Sequence, residues 1–250
     1  MHKNQSLRIL FFVCLVLFFL WIILFEYIFP LNRFIPSPSL VFLSFVDLFS
    51  KYDFLLNIVS TLASIYMPMF LALVLLKFSF GFIDPESPII KLISSSQLLF
   101  KFIPGLLLGV LLIYWFPQEE WTKFLFSFFI ALSIIWNKAF TINENKFQHY
   151  KDYAQSLGIK KYQIRTKVIW KMVEPRIIEE LAVRNIYIWT TILAFEYIQR
   201  MNGAGEILRL SLKFNDISII FALIIFLAVI ISLCFKILNF IKNKFYFWND

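Results

Sequence analysis

The chain has 250 residues, of which 60% are Ala, Val, Ile, Leu, Met, Phe, Trp, Tyr or Cys and only 16% are charged. Soluble domains carry about 25% charge and cannot hide so much apolar surface at this size, so an ordinary globular domain is excluded. A disordered chain, which needs low hydrophobicity, is excluded as well. The net charge of +8 is therefore to be read by its position relative to membrane spans, not as affinity for nucleic acid.

A helix needs about 20 apolar residues to cross a bilayer core. Ile9 to Phe25 is an unbroken apolar run of 17. It is long for a signal peptide and no small-residue cleavage site follows, so it reads as an uncleaved first span in an N-terminal segment, 1–32. The prolines of Arg33 to Ser39 break the helix. An external loop, 33–54, carries a short amphipathic helix from Leu40 to Ser50. The core, 55–250, holds the other spans. They are expected at about Leu55 to Leu76, Leu98 to Phe116, Trp121 to Phe140, Leu181 to Ile198, and Ile217 to Phe235. Gly81, Asp84 and Pro85 mark a turn, Ser87 to Gln97 leads into the third span, and Pro117 to Glu120 is a tight loop. Thr141 to Glu180 is the longest polar stretch. Cys14 and Cys234 both lie in apolar runs, which argues against a disulfide framework.

The basic residues give the orientation. Between Lys138 and Arg176 there are nine Lys or Arg. Placing this 4–5 loop in the cytoplasm puts both termini there too, as an even number of spans requires. Within the loop, Tyr150, Tyr153, Ala154 and Leu157 form a helical stripe, and Gly158 is placed to end that helix in a left-handed cap. Ile159 to Val173 carries Lys160, Lys161, Arg165, Lys167 and Lys171 and no acid, with apolar Ile164, Val168 and Ile169. That is a basic amphipathic helix suited to an anionic leaflet. Periodicity leaves two roles open for the short helix: rest on the membrane, or serve as a knob for a cytoplasmic partner.

At these residues the chain resembles the permease subunit of a bacterial ABC importer, specifically the nitrate/sulfonate/taurine permease family. Asp152-Tyr153-Ala154-x-x-x-Gly158 resembles that family's cytoplasmic Glu-Ala-Ala-x-x-x-Gly loop, with Trp170-Lys171 where the family has Leu-Pro and Pro175 at its second Pro. Ile35-Pro-Ser-Pro-Ser39 resembles its Leu-Pro-Ser-Pro. Trp115-Phe116-x-x-x-Glu120-x-x-Lys123 resembles its Trp-Phe-Gly-x-Gly-Glu-x-x-Lys, and Phe195-Glu196 its Ala-Glu. Gly203-Ala204-Gly205 resembles Gly-Leu-Gly, and Asp216 with Phe221-Ala222 the start of the last span. The match runs from about Arg33 to the C-terminus.

The resemblance implies an all-α transmembrane fold, a six-helix bundle of the type I ABC importer permease kind with cytoplasmic coupling helices in the loop 141–180. It implies a translocation path for a small solute such as a sulfonate, nitrate or taurine. Tyr150, Asp152, Tyr153, Ala154, Leu157 and Gly158 would couple to a separate ATP-binding subunit. A second permease copy and an extracytoplasmic solute-binding protein are the other implied partners, at a bacterial cytoplasmic membrane. The sequence itself has no Gly-x-x-x-x-Gly-Lys-Ser/Thr loop to cradle a nucleotide, and no acid/base or nucleophile constellation. No cofactor is expected, and His149 alone is too little for a metal.

Asn57, Thr61, Ser95, Asn185 and Thr191 are polar residues for a path, although polar residues also glue helices together. Glu196 stands near the end of the fifth span, facing a cavity or partner, or snorkelling to the headgroups. Lys101 anchors the cytoplasmic start of its span. The competing reading of the whole chain is a membrane scaffold that recruits a cytoplasmic partner without transport.

Overall fold

A computed structural model describes residues 2–29, 32, 34–83, 105–117, 119–141 and 148–246. Among the described residues the regular structure is helical throughout. The helices are α1 (His2–Ile22), prolonged by a π-helical turn Ile23–Ile28, α2 (Pro38–Lys51), α3 (Phe54–Ser79), α4 (Gly105–Trp115) and α5 (Trp121–Thr141). The polar loop supplies α6 (Gln148–Ser156) and α7 (Lys161–Gln163), which passes through a π-helical stretch, Ile164–Ile169, into α8 (Trp170–Val183). Last come α9 (Asn185–Gln199), α10 (Ala204–Lys213) and α11 (Ile217–Phe245).

Among the described residues, three helices are long and apolar enough to cross a membrane: Phe54–Ser79, Trp121–Phe140 and Ile217–Phe245. Leu15–Ile28 and Gly105–Trp115 are apolar but shorter. The first seven positions of the expected third span, 98–104, with Ser95 and the turn at Asp84 and Pro85, lie outside the described residues, Lys101 among them. The expected fifth span is not one continuous helix. Arg184 leaves helical geometry between α8 and α9, and α9 is 15 residues long. The last helix runs ten residues beyond the expected Phe235, taking up Lys236, Lys242 and Lys244, which read as tail in the sequence.

The chain divides into two compact units, residues 1–57 with 207–228, and residues 58–206 with 229–250. In the first, α2 begins with Pro38 in its first turn, where a missing N–H costs nothing. Val41, Ser44 and Leu48 recur at helical spacing and are buried. Phe45, Phe49 and Phe54 surround Phe226, with ring centroids 5.0, 5.7 and 4.8 Å from it. The Trp21 indole donates to the Pro36 carbonyl at 3.2 Å, tying the chain after α1 to its end.

In the second unit, α5 packs on α8 and α9, and α4 packs on α9 and α5. Phe126 of α5 stacks on Phe195 of α9, with centroids 4.7 Å apart and planes at 21°. Pro68 stands inside α3, and Pro175 inside α8, each removing one helix hydrogen bond. At the C-terminal end of α3, Phe80 packs on Phe140 of α5 and Trp170 of α8, at 5.8 and 5.2 Å. The loop 141–180 thus does more than connect, because its second helix is part of this core.

Candidate functional site

Two places in the second unit concentrate chemistry, and they stand at opposite ends of α3. Thr61 and Ser79 are separated by about 27 Å along the helix axis, at about 1.5 Å per residue.

The first is a buried polar hub around Glu196, whose side chain has no solvent exposure. A carboxylate so placed needs donors. The Thr61 hydroxyl donates to it at 2.9 Å and accepts from the Ala204 N–H at 2.9 Å. The Gly205 N–H donates to Oε2 at 3.1 Å. Both N–H groups belong to the first turn of α10, which has no partners of its own for them. The α9 helix ends at Arg200 in left-handed geometry (φ 60°), and the chain doubles back so that residues 203–205 lie on Glu196. That return needs glycine. A Cβ on Gly203 would stand 2.1 Å from the Glu196 Cδ, and one on Gly205 would stand 2.3 Å from the Leu193 carbonyl oxygen.

Lys123, at 1% exposure, reaches the same turn from α5. Its ammonium donates to the Asn202 carbonyl at 2.7 Å and to the Ser60 hydroxyl, and it is attracted by both Glu196 and Glu120. The Asn202 amide donates to Glu120 at 2.9 Å. Nearby, the Gln199 amide donates to the Thr122 hydroxyl at 2.8 Å, and that hydroxyl donates to the Glu119 carbonyl at 2.6 Å. Side chains of α3, α5 and α9 therefore converge on one tight turn, residues 202–205.

Of the residues expected to line a path, the structure brings Thr61 and Glu196 together in this sealed hub. Glu196 does not snorkel, because its carboxylate is fully buried. Asn57 belongs to the other unit, where its amide donates to the Tyr52 carbonyl at 2.9 Å and steadies the start of α3. The Thr191 hydroxyl donates to the Tyr187 carbonyl one turn back in α9. Asn185 accepts from the Tyr66 hydroxyl at 2.9 Å, which in turn accepts from the Trp189 indole at 3.1 Å. Ser95 lies outside the described residues. No local pattern in the sequence groups Lys123, Ser60, Asn202 and Gln199, although the Trp115-to-Lys123 motif contains Glu120 and Lys123. Tyr66, in an apolar run, had no local signal.

The second place is the short helix α6. Its stripe divides on folding. Ala154 is buried at 5% exposure, while Tyr150, Tyr153 and Leu157 stand 56%, 68% and 61% exposed, and Asp152 is exposed beside them. Gly158 ends the helix with φ +74° and has open space where a Cβ would point. The basic helix that follows does not rest its apolar face on lipid. Ile164, Ile169, Trp170 and Val173 are all buried in the protein, at 2% exposure or less. Arg165, counted in the sequence as part of a basic surface, is buried too. Its Nε donates to the Phe80 carbonyl at 3.2 Å, and its guanidinium lies 5.1 Å from the Phe80 ring centroid. A cation there complements the C-terminal end of α3. Arg165 lies within the π-helical stretch Ile164–Ile169.

Around α8 the acids are paired. Glu174 meets Lys77 at 3.3 Å, Glu179 meets Lys242 at 3.3 Å, and Glu180 bridges Arg184 and Lys138 at 2.5 and 2.8 Å. The Arg184 guanidinium, and then the Lys138 ammonium, hold the Glu180 carboxyl below the usual glutamate range. Burial, with Glu174 beside it, pushes the Tyr246 hydroxyl up to about 12.

No family model, no curated protein and no solved structure matches the chain.

Proposed function

We propose that the chain is the membrane-spanning permease subunit of an ABC-type importer, driven by an ATPase on another polypeptide and carrying a small solute. The observation that supports this best is the short helix α6. It presents Tyr150, Tyr153 and Leu157 outward and is pinned from behind by Ala154. An exposed aromatic knob on a short helix fits a cleft in a soluble partner. The next segment is fastened to the ends of α3 and α5 through Arg165, Phe80, Phe140 and Trp170. A force on the knob therefore has a packed route to two helices long enough to cross the membrane. On this reading the remaining apolar segments complete six spans, two copies form one path, and both termini face the cytoplasm.

The test is capture of an ATPase by the solubilised full chain. Wild type recovers a P-loop ATPase, and Leu157→Arg loses it while keeping the wild-type thermal unfolding profile; Gly158→Asp loses it too, with some loss of stability, because a side chain at φ +74° strains the cap although the space there is open. Unchanged capture and transport in both variants would refute the reading. Capture of a protein without ATPase activity would favour a scaffold role instead.

A further inference from the structure

The centre of α3 carries a second polar cluster, distinct from the hub around Glu196. Tyr66 stands twelve residues from Phe54 and thirteen from Ser79, at the middle of that helix. Its hydroxyl meets Asn185 and Trp189 of α9 at 2.9 and 3.1 Å, and the Cys234 thiol of α11 is within hydrogen-bonding reach of it. The Trp189 indole can only donate, so the phenol oxygen accepts from it and the phenol proton goes to the Asn185 Oδ1. The Asn185 Nδ2 is left over. It is a donor with no partner, on a residue only 1% exposed. Asn57, Thr61 and Thr191 differ, because each spends its side-chain donor on an oxygen of the protein. A donor left over at the middle of a bilayer is costly, and such groups face a partner or a path. The cluster is closed over Asn185 and half-exposed at Tyr66 and Cys234. Arg184, directly before Asn185, has left helical geometry, so α9 begins at a joint where it can turn the amide outward.

We propose that Asn185 is a solute-contact residue, whose Nδ2 donates to an acceptor oxygen of the carried solute when α9 moves. This inference rests on the transport reading and adds the chemistry that the path recognises. Amide, phenol, indole and thiol are all uncharged at neutral pH, so the contact selects by hydrogen bonding and not by ion pairing. It suits a small solute that presents a carbonyl, nitrate or sulfonyl oxygen. It does not suit a quaternary ammonium, which has no acceptor to offer. Tyr66 and Trp189 are positioning residues, because they fix which way the amide is turned. Cys234, at the half-exposed edge, is a native reporter of the site.

The test uses the full chain with Cys14→Ser in native membrane vesicles, which leaves Cys234 as the one cysteine of the sequence. Cys234 is reacted with the water-soluble 2-sulfonatoethyl methanethiosulfonate, and the modified fraction is counted by mass spectrometry. The thiol should react. Millimolar methanesulfonate should slow the reaction several-fold, and millimolar tetramethylammonium should not. Asn185→Leu, close in volume, should abolish that protection. It should also unfold no earlier than the Asn185 chain, because it removes a donor that has no partner. Tyr66→Phe, which frees the amide to turn, should weaken the protection and leave the reaction in place. No reaction at Cys234, or equal effects of the two ions, overturns the proposal. Protection that survives Asn185→Leu overturns it as well, as does early unfolding of that variant, which would make the amide a structural pin. If the chain captures a P-loop ATPase while Cys234 shows no protection, the transport reading stands and the solute contact alone falls. Protection without ATPase capture overturns the importer reading and keeps Asn185 as a binding residue.

Discussion

Glu196 has its oxygens filled by Thr61 and Gly205, and Thr61 works in both directions, donating to the carboxylate and accepting from Ala204. Removing that one hydroxyl leaves an acceptor and a donor short of partners in a buried place. Thr61→Val, nearly isosteric, is therefore expected to cost about 1–3 kcal/mol. The drop is read from thermal unfolding of the full chain in detergent, with Thr61→Ser recovering most of it. Equal stability of Thr61→Val and wild type would show that water replaces the hydroxyl. Gly205→Ala should cost a similar ~1–3 kcal/mol through overpacking, because the clash is with the Leu193 backbone oxygen and not with a side chain able to swing away. Glu180 carries a pH dependence. Its carboxyl is held low by Arg184 and Lys138, so its contribution is present above the unfolded-state pKa and is lost as pH falls through the lower folded value. An acid titration followed by intrinsic fluorescence should show Glu180→Gln losing part of the acid-side destabilisation seen in wild type. Identical acid limbs would remove Glu180 from that account.

At the scale of elements, the loop between α5 and α9 behaves as two parts with different fastenings. The helix α6 is held lightly, through Ala154, and keeps most of its stripe outside. The stretch from Ile164 into α8 is held firmly, by a buried apolar row and by Arg165 against the end of α3. Arg165→Gln should loosen the second part without unfolding the spans. Limited proteolysis is expected to cut residues 164–173 several-fold faster, while α3 and α5 stay intact. Unchanged cleavage would mean that the apolar row alone holds the segment. The existence of α6, its end at Gly158 and the amphipathic α2 were legible from spacing, since each depends on residues three to seven apart. The direction each face takes was not, because a helical stripe is the same whether it meets protein, lipid or a partner.

For the whole molecule, the charge distribution makes a sidedness prediction. With Cys14 and Cys234 replaced by Ser, a cysteine at position 149 should be protected from a membrane-impermeant maleimide in intact cells, and one at position 35 should be labelled. The opposite pattern would invert the orientation and remove α6 from the reach of a cytoplasmic partner. If that orientation holds, the hub around Glu196 would lie at the extracytoplasmic ends of α3 and α5, away from the cytoplasmic knob.

The sequence alone determined that the chain belongs with membrane proteins, where three long apolar helices lie, and that a short helix in the polar loop ends at Gly158. Hydropathy, proline breaks and a glycine cap act over neighbouring residues, so they survive in one dimension. Tertiary structure alone decided that Thr61 and Glu196, 135 positions apart, share a hydrogen bond, that Lys123 joins them at Asn202, and that Arg165 turns inward. Buried charges choose partners by distance in space. Those partners lie on helices whose packing depends on the whole unit, so the pairings are absent from any local pattern.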